Sequence, residues 1–317
     1  MTSPDLAAQR TSTPRTSLRI LVTGSHGLVG TALVPSLTAS GHQVSRLIRS
    51  ATSPGSADVS WDPGQGTIEV GRLEGVEAVI HLAGESIAAG RWTTQRKERI
   101  RISRLQGTRL LCETLAAMAH PPRVLISASA IGYYGDRGEE LLREDSAPGT
   151  GFLAEVCRAW EVATEPASRR GIRVVLCRMG VILSPEGGAL GKMLLPFRLG
   201  LGGRLGSGRQ VMSWIALDDV VGAMHHAIIT EHLRGPVNLV APQPVTNQEF
   251  TTVLGRVLHR PTLAPVPAFA LRLMLGELAD QALLASARVQ PTKLVAAGYA
   301  FHYPELEAAL HHLLRRS

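Results

Sequence analysis

Short apolar runs alternate along the chain with longer mixed segments. Leu18-Arg-Ile-Leu-Val22 is apolar except at Arg19 and predicts a short buried strand. A glycine turn follows, and the apolar segment beginning near Gly27 predicts a helix closed by Gly41-His42. Pro35 falls inside it, where a lost hydrogen bond predicts a bend or a later start. Further strands are predicted at 44–48, up to Trp61-Asp62, and at 78–83, 124–126, 172–179 and 237–240. Helical patterns intervene at 93–118 and 152–167, and an apolar helix follows Asp218-Asp219. Between 184 and 213 glycines crowd around an apolar island, Met193 to Phe197, which reads as a loop-rich crossover. A helix N-terminus at Thr246-Asn-Gln-Glu249 opens a helical stretch to Ser317, broken by Pro261, Pro265 and Pro267. This order predicts an α/β fold: a Rossmann-type doubly wound parallel sheet with a smaller, mostly helical C-terminal lobe. The expected division is a disordered tail over 1–17, a dinucleotide-binding domain over 18–183 rejoined by 214–241, and a substrate lobe from 184–213 and 242–317.

Composition narrows the partners. The net charge of +7 over 317 residues fits an anionic ligand or a basic surface. No zinc finger, helix-turn-helix or stacking-aromatic pattern accompanies it, so no nucleic-acid partner is expected. The basic run from Arg91 to Arg104 reads as a solvated helix face. Three cysteines without Cys-x-x-Cys spacing argue against a disulfide framework or a structural zinc site and fit a reducing cytoplasm. The pairs His225-His226 and His311-His312 are adjacent rather than four apart, so they are taken as surface residues and no metal is expected. The tail lacks the apolar core of a signal peptide, and no apolar run spans a bilayer, so no membrane partner is expected.

Chemistry concentrates at predicted strand ends. Gly24 permits a tight turn, Gly27 lets backbone approach a diphosphate, and Gly30 lets helix pack on strand. Helix amides and the positive end of the dipole then face the anion, whereas the plainer alternative is an ordinary βα turn. Arg49 follows the second strand with no acid between Arg46 and Ala57, which favours NADP(H) over NAD(H); otherwise Arg49 belongs to an exposed basic loop. Leu82, Ala83, Gly84 and Glu85 occupy the carboxyl edge of the 78–83 strand, with Glu85 either a polar ligand contact or a helix N-terminal residue. Arg99 and Arg104 either reach cofactor phosphates or lay their stems along a partly exposed helix. Ser129, Tyr133 and Tyr134 gather past the 124–126 strand: Ser129 to orient a reacting oxygen, either tyrosine to donate a proton. A serine-capped turn over packed tyrosines is the competing reading.

These motifs resemble the extended short-chain dehydrogenase/reductases, the sugar-nucleotide epimerases and dehydratases. Thr23–Gly30 is similar to their cofactor turn, His81-Leu-Ala-Gly84 to their fourth-strand motif, and Trp214-Ile-Ala-Leu-Asp218-Asp219 to a later element. A closer resemblance, to a branch of NAD(P)-dependent epimerase-family proteins of unassigned substrate, rests on Leu82–Ile87, Arg91-Trp92, Ser129–Gly135, Trp160-Glu161, Leu194–Gly203, Gly206–Gln210 and Ala241–Asn247. It runs from Leu18 to the C-terminus. The resemblance implies an NADP-binding Rossmann domain, a small C-terminal domain, and oxidoreductase or epimerase chemistry on a small hydroxylated or sugar-nucleotide-like molecule, in a monomer or homodimer. It assigns cofactor contacts to Gly24, Ser25, Gly27, Leu28, Val29, Gly30, Arg49, Leu82, Ala83, Arg99, Arg104 and Ile182. One departure stands out. The wider group's Tyr-x-x-x-Lys pair falls on Phe152 or Leu153, with Val156 or Cys157 four later, and neither register supplies a phenol or an amine. A catalytically silent NADPH-binding protein is therefore the alternative. Ala216, where the group commonly has histidine, is a second departure.

Overall fold

Alternate residues of the run at 19–23 serve two different cores, so that strand must lie within a sheet covered on both faces. The computed structural model, which describes residues 17–49 and 56–315, shows this arrangement; the predicted tail falls almost wholly outside the described residues. The first half of the chain forms β1 (Arg19–Thr23), α1 (Leu28–Ala39), β2 (Gln43–Ile48), β3 (Val59–Asp62), β4 (Thr67–Ile68), β5 (Ala78–His81), α2 (Thr94–Ala117), β6 (Val124–Ala130) and β7 (Leu141–Leu142). Next come α3 (Phe152–Val162), α4 (Glu165–Arg169), β8 (Arg173–Met179), β9 (Val181–Ser184), α5 (Gly188–Arg198), β10 (Val211–Met212), β11 (Trp214–Ala216) and α6 (Leu217–Ile229). The chain ends with β12 (Gly235–Leu239), β13 (Val245–Thr246), α7 (Asn247–Leu258), α8 (Ala268–Leu275), β14 (Arg288–Val289), α9 (Thr292–Ala296) and α10 (Leu306–Arg315).

The main sheet has the order β4-β3-β2-β1-β5-β6-β8-β12 and is parallel except where β4 folds back on β3. Strand order reverses between β1 and β5, which opens a crevice above their carboxyl ends. Ile20, Val22, Ile80 and Ile126 pack under α1 and α6, while Leu21, Val79 and Leu125 pack against α2. Each such side chain contributes about 2 kcal/mol when fully buried. The C-terminal lobe has its own core of Leu194, Phe197, Trp214, Phe250, Leu254 and Leu310.

Three local expectations change. α1 runs straight through Pro35, which lies on the exposed face where water can satisfy the carbonyl that loses its partner. The apolar island at 193–197 belongs to a helix, α5, whose own Pro196 is likewise exposed. The predicted helix over 152–167 divides into α3 and α4 at Ala163-Thr164, ahead of Pro166. The histidines at 225 and 226 are not surface residues either. Both are half-buried, with His225 Nε2 2.9 Å from His42 Nε2 and His226 Nε2 3.1 Å from the Ala297 carbonyl.

Candidate cofactor site and catalytic crevice

Backbone geometry explains the glycines of the first turn. Gly24 has φ +68°, and a Cβ there would lie 2.7 Å from the Leu82 carbonyl carbon. A Cβ on Gly30 would lie 2.6 Å from Ser25 Cα, so α1 packs on the turn only without a side chain. The Gly27 amide bonds back to the Gly24 carbonyl at 3.0 Å, and Gly27 caps α1 without a side-chain acceptor. The first amides of α1, at Leu28, Val29 and Gly30, thus lack a side-chain cap. Ser25 is buried, and Leu28 lies against Gly187 and Gly188, where added Cβ atoms would come within 3.4 and 3.3 Å of it.

The neighbouring strand end is fixed from below. Thr23 Oγ1 accepts the Leu82 and Ala83 amides at 3.0 and 3.1 Å and donates its own proton to His81 Nδ1 at 2.8 Å. That assigns His81 the Nε2–H tautomer, which donates to Thr108 Oγ1 at 2.8 Å. Trp160 Nε1 donates to the same Thr108 oxygen at 2.8 Å. β1, β5, α2 and α3 are therefore joined at one level by a buried polar chain. Burial alone lowers the His81 pKa to about 4, so the ring is neutral.

The other predicted cofactor residues occupy distinct settings. Gly84 lies beneath Arg104, whose guanidinium donates to the Glu85 carbonyl at 2.9 Å and stacks over Trp160 at 4.9 Å. Glu85 is not a helix N-terminal residue, because α2 begins at Thr94. Its amide donates to Ser103 Oγ, and its carboxylate lies 3.8 Å from Arg96. Arg99 is exposed on α2, and Ile182 is half-buried in β9 beside Ile215. Arg49 is exposed just beyond β2. Asp58, aligned with Arg46 just before β3, accepts the Arg46 amide at 3.1 Å and its guanidinium at 3.0 and 2.5 Å. The Arg46 bond holds the Asp58 pKa below the ordinary carboxylate value.

The hydroxyls expected to do chemistry have different fates. Ser129 is 1% exposed and donates to Glu161 Oε1 at 2.7 Å. Glu161 also takes a two-pronged contact from Arg178, Nε and Nη2 each at 2.8 Å. Arg178 Nη1 in turn donates to the Tyr134 hydroxyl at 3.0 Å, and that hydroxyl donates to Asn238 at 2.7 Å. Burial works against the Arg178 charge, but the hydrogen bonds and attraction of Glu161 outweigh it and raise its pKa. Tyr134 is fully buried, and burial raises its pKa. The expectation of Tyr134 as a proton donor is corrected here, since both sides of its hydroxyl are engaged inside the protein. Ser129 is likewise committed to an internal carboxylate. Tyr133 differs: it is half-buried, its ring stacks on the Arg178 guanidinium at 3.5 Å, and its hydroxyl makes no hydrogen bond among the described residues.

The two candidate registers on α3 face different surroundings. Phe152 and Val156 face inward with Trp92, Ile100 and Leu278. Leu153 and Cys157 face the turn after β6, where a Cβ on Gly132 would lie 3.3 and 3.8 Å from them. Burial pushes the Cys157 thiol up to about 12, so it is a neutral group.

A glycine turn, a reversed strand order and an uncapped α1 describe a dinucleotide fold, and the NAD-dependent epimerase/dehydratase family model matches residues 20–239. The chain belongs to that family. A second model, a domain of unknown function (DUF1731), matches residues 266–313. Among family members, the epimerase family protein Mb2239 of Mycobacterium bovis is 45% identical over 291 residues, covering 92% of this chain and 96% of its own. Human epimerase family protein SDR39U1 is 36% identical over 296 residues, covering 92% and 98%. A crystal structure of the human protein with NADPH superposes with a TM-score of 0.86 at 34% identity, covering 95% of this chain and all of that one. The UDP-glucose 4-epimerase of Thermus thermophilus, solved with NAD, shares the fold at a TM-score of 0.72 and 20% identity.

Within this family framework, the structure gives three buried charged residues contacts that the sequence reading did not assign. Arg178 and Glu161 form a buried ion pair, signalled only by an arginine inside an apolar strand. Asp219, fully buried, accepts the Tyr299 hydroxyl at 3.0 Å and the His302 and Tyr303 amides at 2.8 and 3.0 Å. The second aspartate of the 214–219 motif thereby fastens the C-terminal segment to α6.

Proposed function

We propose that the protein is an NADP(H)-dependent oxidoreductase or epimerase acting on a small hydroxylated or sugar-nucleotide-like substrate. The turn from Gly24 to Gly30 carries the reading: two of its positions exclude any side chain, and the helix start above them is uncapped. The NADPH held by a relative of 34% identity supports the same cofactor. Preference for NADP(H) over NAD(H) rests on Arg49, with no acid between Arg46 and Ala57 to meet a ribose hydroxyl. Ser25, Leu28, Val29, Leu82, Ala83, Gly84, Glu85, Arg104 and Ile182 would line the cofactor. Residues 184–213 and 242–317 would form the substrate lobe.

Bound NADPH supplies a hydride. The chain would supply position and a proton, and Tyr133 is the phenol left for that role, with Arg178 holding a positive charge under its ring. Neither candidate register, Phe152 with Val156 or Leu153 with Cys157, supplies a phenol or an amine, which favours a second reading: a silent NADPH-binding protein. Label transfer separates the two. NADPH deuterated at the reactive carbon is offered with a panel of carbonyl compounds and nucleotide sugars. Stereospecific transfer, lowered about a hundredfold in Tyr133→Phe, supports the enzyme. Tight NADPH binding with no transfer to the carbonyl compounds, and no epimer formed from the nucleotide sugars with NADP+ bound, leaves the silent protein.

A further inference from the structure

α8 reads Ala-Phe-Ala-Leu-Arg-Leu-Met-Leu, apolar on every side except at Arg272. A helix of that kind needs cover all round. Only Leu271 is buried, and Phe269, Leu273 and Met274 are 71%, 73% and 60% exposed. Ahead of α8, Leu263 is 87% exposed, and Leu195, Leu199 and Leu201 from the end of α5 are 64–67% exposed. The two segments run side by side. Arg260 Nε donates to the Arg198 carbonyl at 2.8 Å, the Val266 amide to the Arg204 carbonyl at 2.9 Å, and Leu205 bridges Val266 in parallel register. The two segments bearing exposed apolar side chains are thus neighbours in the fold, and exposed apolar surface of this kind marks an interaction site.

Charge decides what fits there. Residues 195–209 and 260–274 contain five arginines, at 198, 204, 209, 260 and 272, and no aspartate or glutamate. Arg272 pairs with Asp280, while Arg204, Arg209 and Arg260 make no ion pair among the described residues. A symmetric contact with a second copy would bring Arg204, Arg209 and Arg260 of both copies together on segments that themselves carry no carboxylate. We propose that this face docks on the anionic surface of a lipid bilayer, its leucines and Phe269 among the headgroups and its arginines on lipid phosphates. No helix among the described residues is long and apolar enough to cross a membrane, so the contact is peripheral. The expectation of no membrane partner came from a search for spanning segments, which such a surface escapes. At its far end α8 leads into Gly276, packed under Arg91, and Glu277, paired with Lys97 at 2.8 Å. The docked helix is therefore tied to the segment that leads into α2.

Vesicle sedimentation tests the proposal with the full chain. Vesicles of phosphatidylcholine alone are compared with vesicles containing about 30 mol % phosphatidylserine, at low and high salt. The protein should pellet with the anionic vesicles at least about tenfold more than with the neutral ones, and high salt should release it. Phe269→Ser/Leu273→Ser and Arg204→Glu/Arg260→Glu should each lower partitioning by about tenfold or more, with NADPH affinity unchanged as the control for folding. Absence of sedimentation, equal binding to neutral vesicles, or insensitivity to the arginine reversals would overturn it. So would a dimer, seen by light scattering, that the Leu273 variant dissociates while vesicles bind nothing.

Discussion

Glu161→Ala removes one half of a buried ion pair whose side chains are 10% and 3% exposed. The Arg178 guanidinium keeps its contacts to Tyr134 and the Glu144 carbonyl, but loses both charge-assisted bonds. Breaking such a pair from one side costs about 3–5 kcal/mol, because the remaining charge is left without a counterion. Ser129 also loses its acceptor, worth about 1 kcal/mol more. A loss of roughly 4–6 kcal/mol in urea unfolding is expected, with a melting temperature lower by roughly 10 °C. Replacing both partners, Glu161→Leu with Arg178→Met, should cost about 2 kcal/mol or less, since apolar groups of similar volume need no counterion. The two single changes are then strongly non-additive. If Glu161→Ala costs under about 1 kcal/mol, or the double variant equals the sum of the singles, the pair is not the structural unit described.

His81 gives stability a pH dependence. Its folded pKa is depressed to about 4 from 6.5, so the unfolded chain takes up the proton first as pH falls. The contribution is complete above about pH 6.5 and is lost towards pH 4, a difference of about 3 kcal/mol; His81→Asn should flatten that part of the urea midpoint profile. Arg49→Asp should erase or invert the NADPH-over-NADH affinity ratio in fluorescence titrations, and an unchanged ratio would place selectivity elsewhere. Gly30→Ala puts a methyl 2.6 Å from Ser25 Cα and should weaken NADPH binding more than about tenfold by calorimetry, whereas the exposed Gly71→Ala, where a Cβ meets nothing within 4 Å, should leave it unaltered.

The sheet was legible because β1, β5 and β6 are short runs of apolar residues buried on both faces, a pattern that few other structures share. The cofactor turn was legible for a related reason: strand, glycines and helix follow one another directly in the chain. α5 was not, because its glycines and Pro196 disfavour a helix locally, and only packing of Leu190, Leu194 and Phe197 into the C-terminal core selects it. The register of α3 was undecidable, since both candidate pairs are four apart and composed of core-forming residues. Arg178 and Glu161 meet from a strand and a helix, and the carboxylate that answers a buried arginine cannot be picked out by spacing. The two-residue pairing of β7 with β14 spans nearly half the chain and leaves no periodic trace.

The bonds that steady the end of β5 also limit what can be recognised there. With the N–H groups of Leu82 and Ala83 both turned onto a threonine oxygen, this edge has no main-chain donor at those residues for a visiting molecule. It presents hydrocarbon and carbonyl oxygen instead. A guest lying along it must bring its own hydrogens, so discrimination between chemically similar guests belongs to the facing rim.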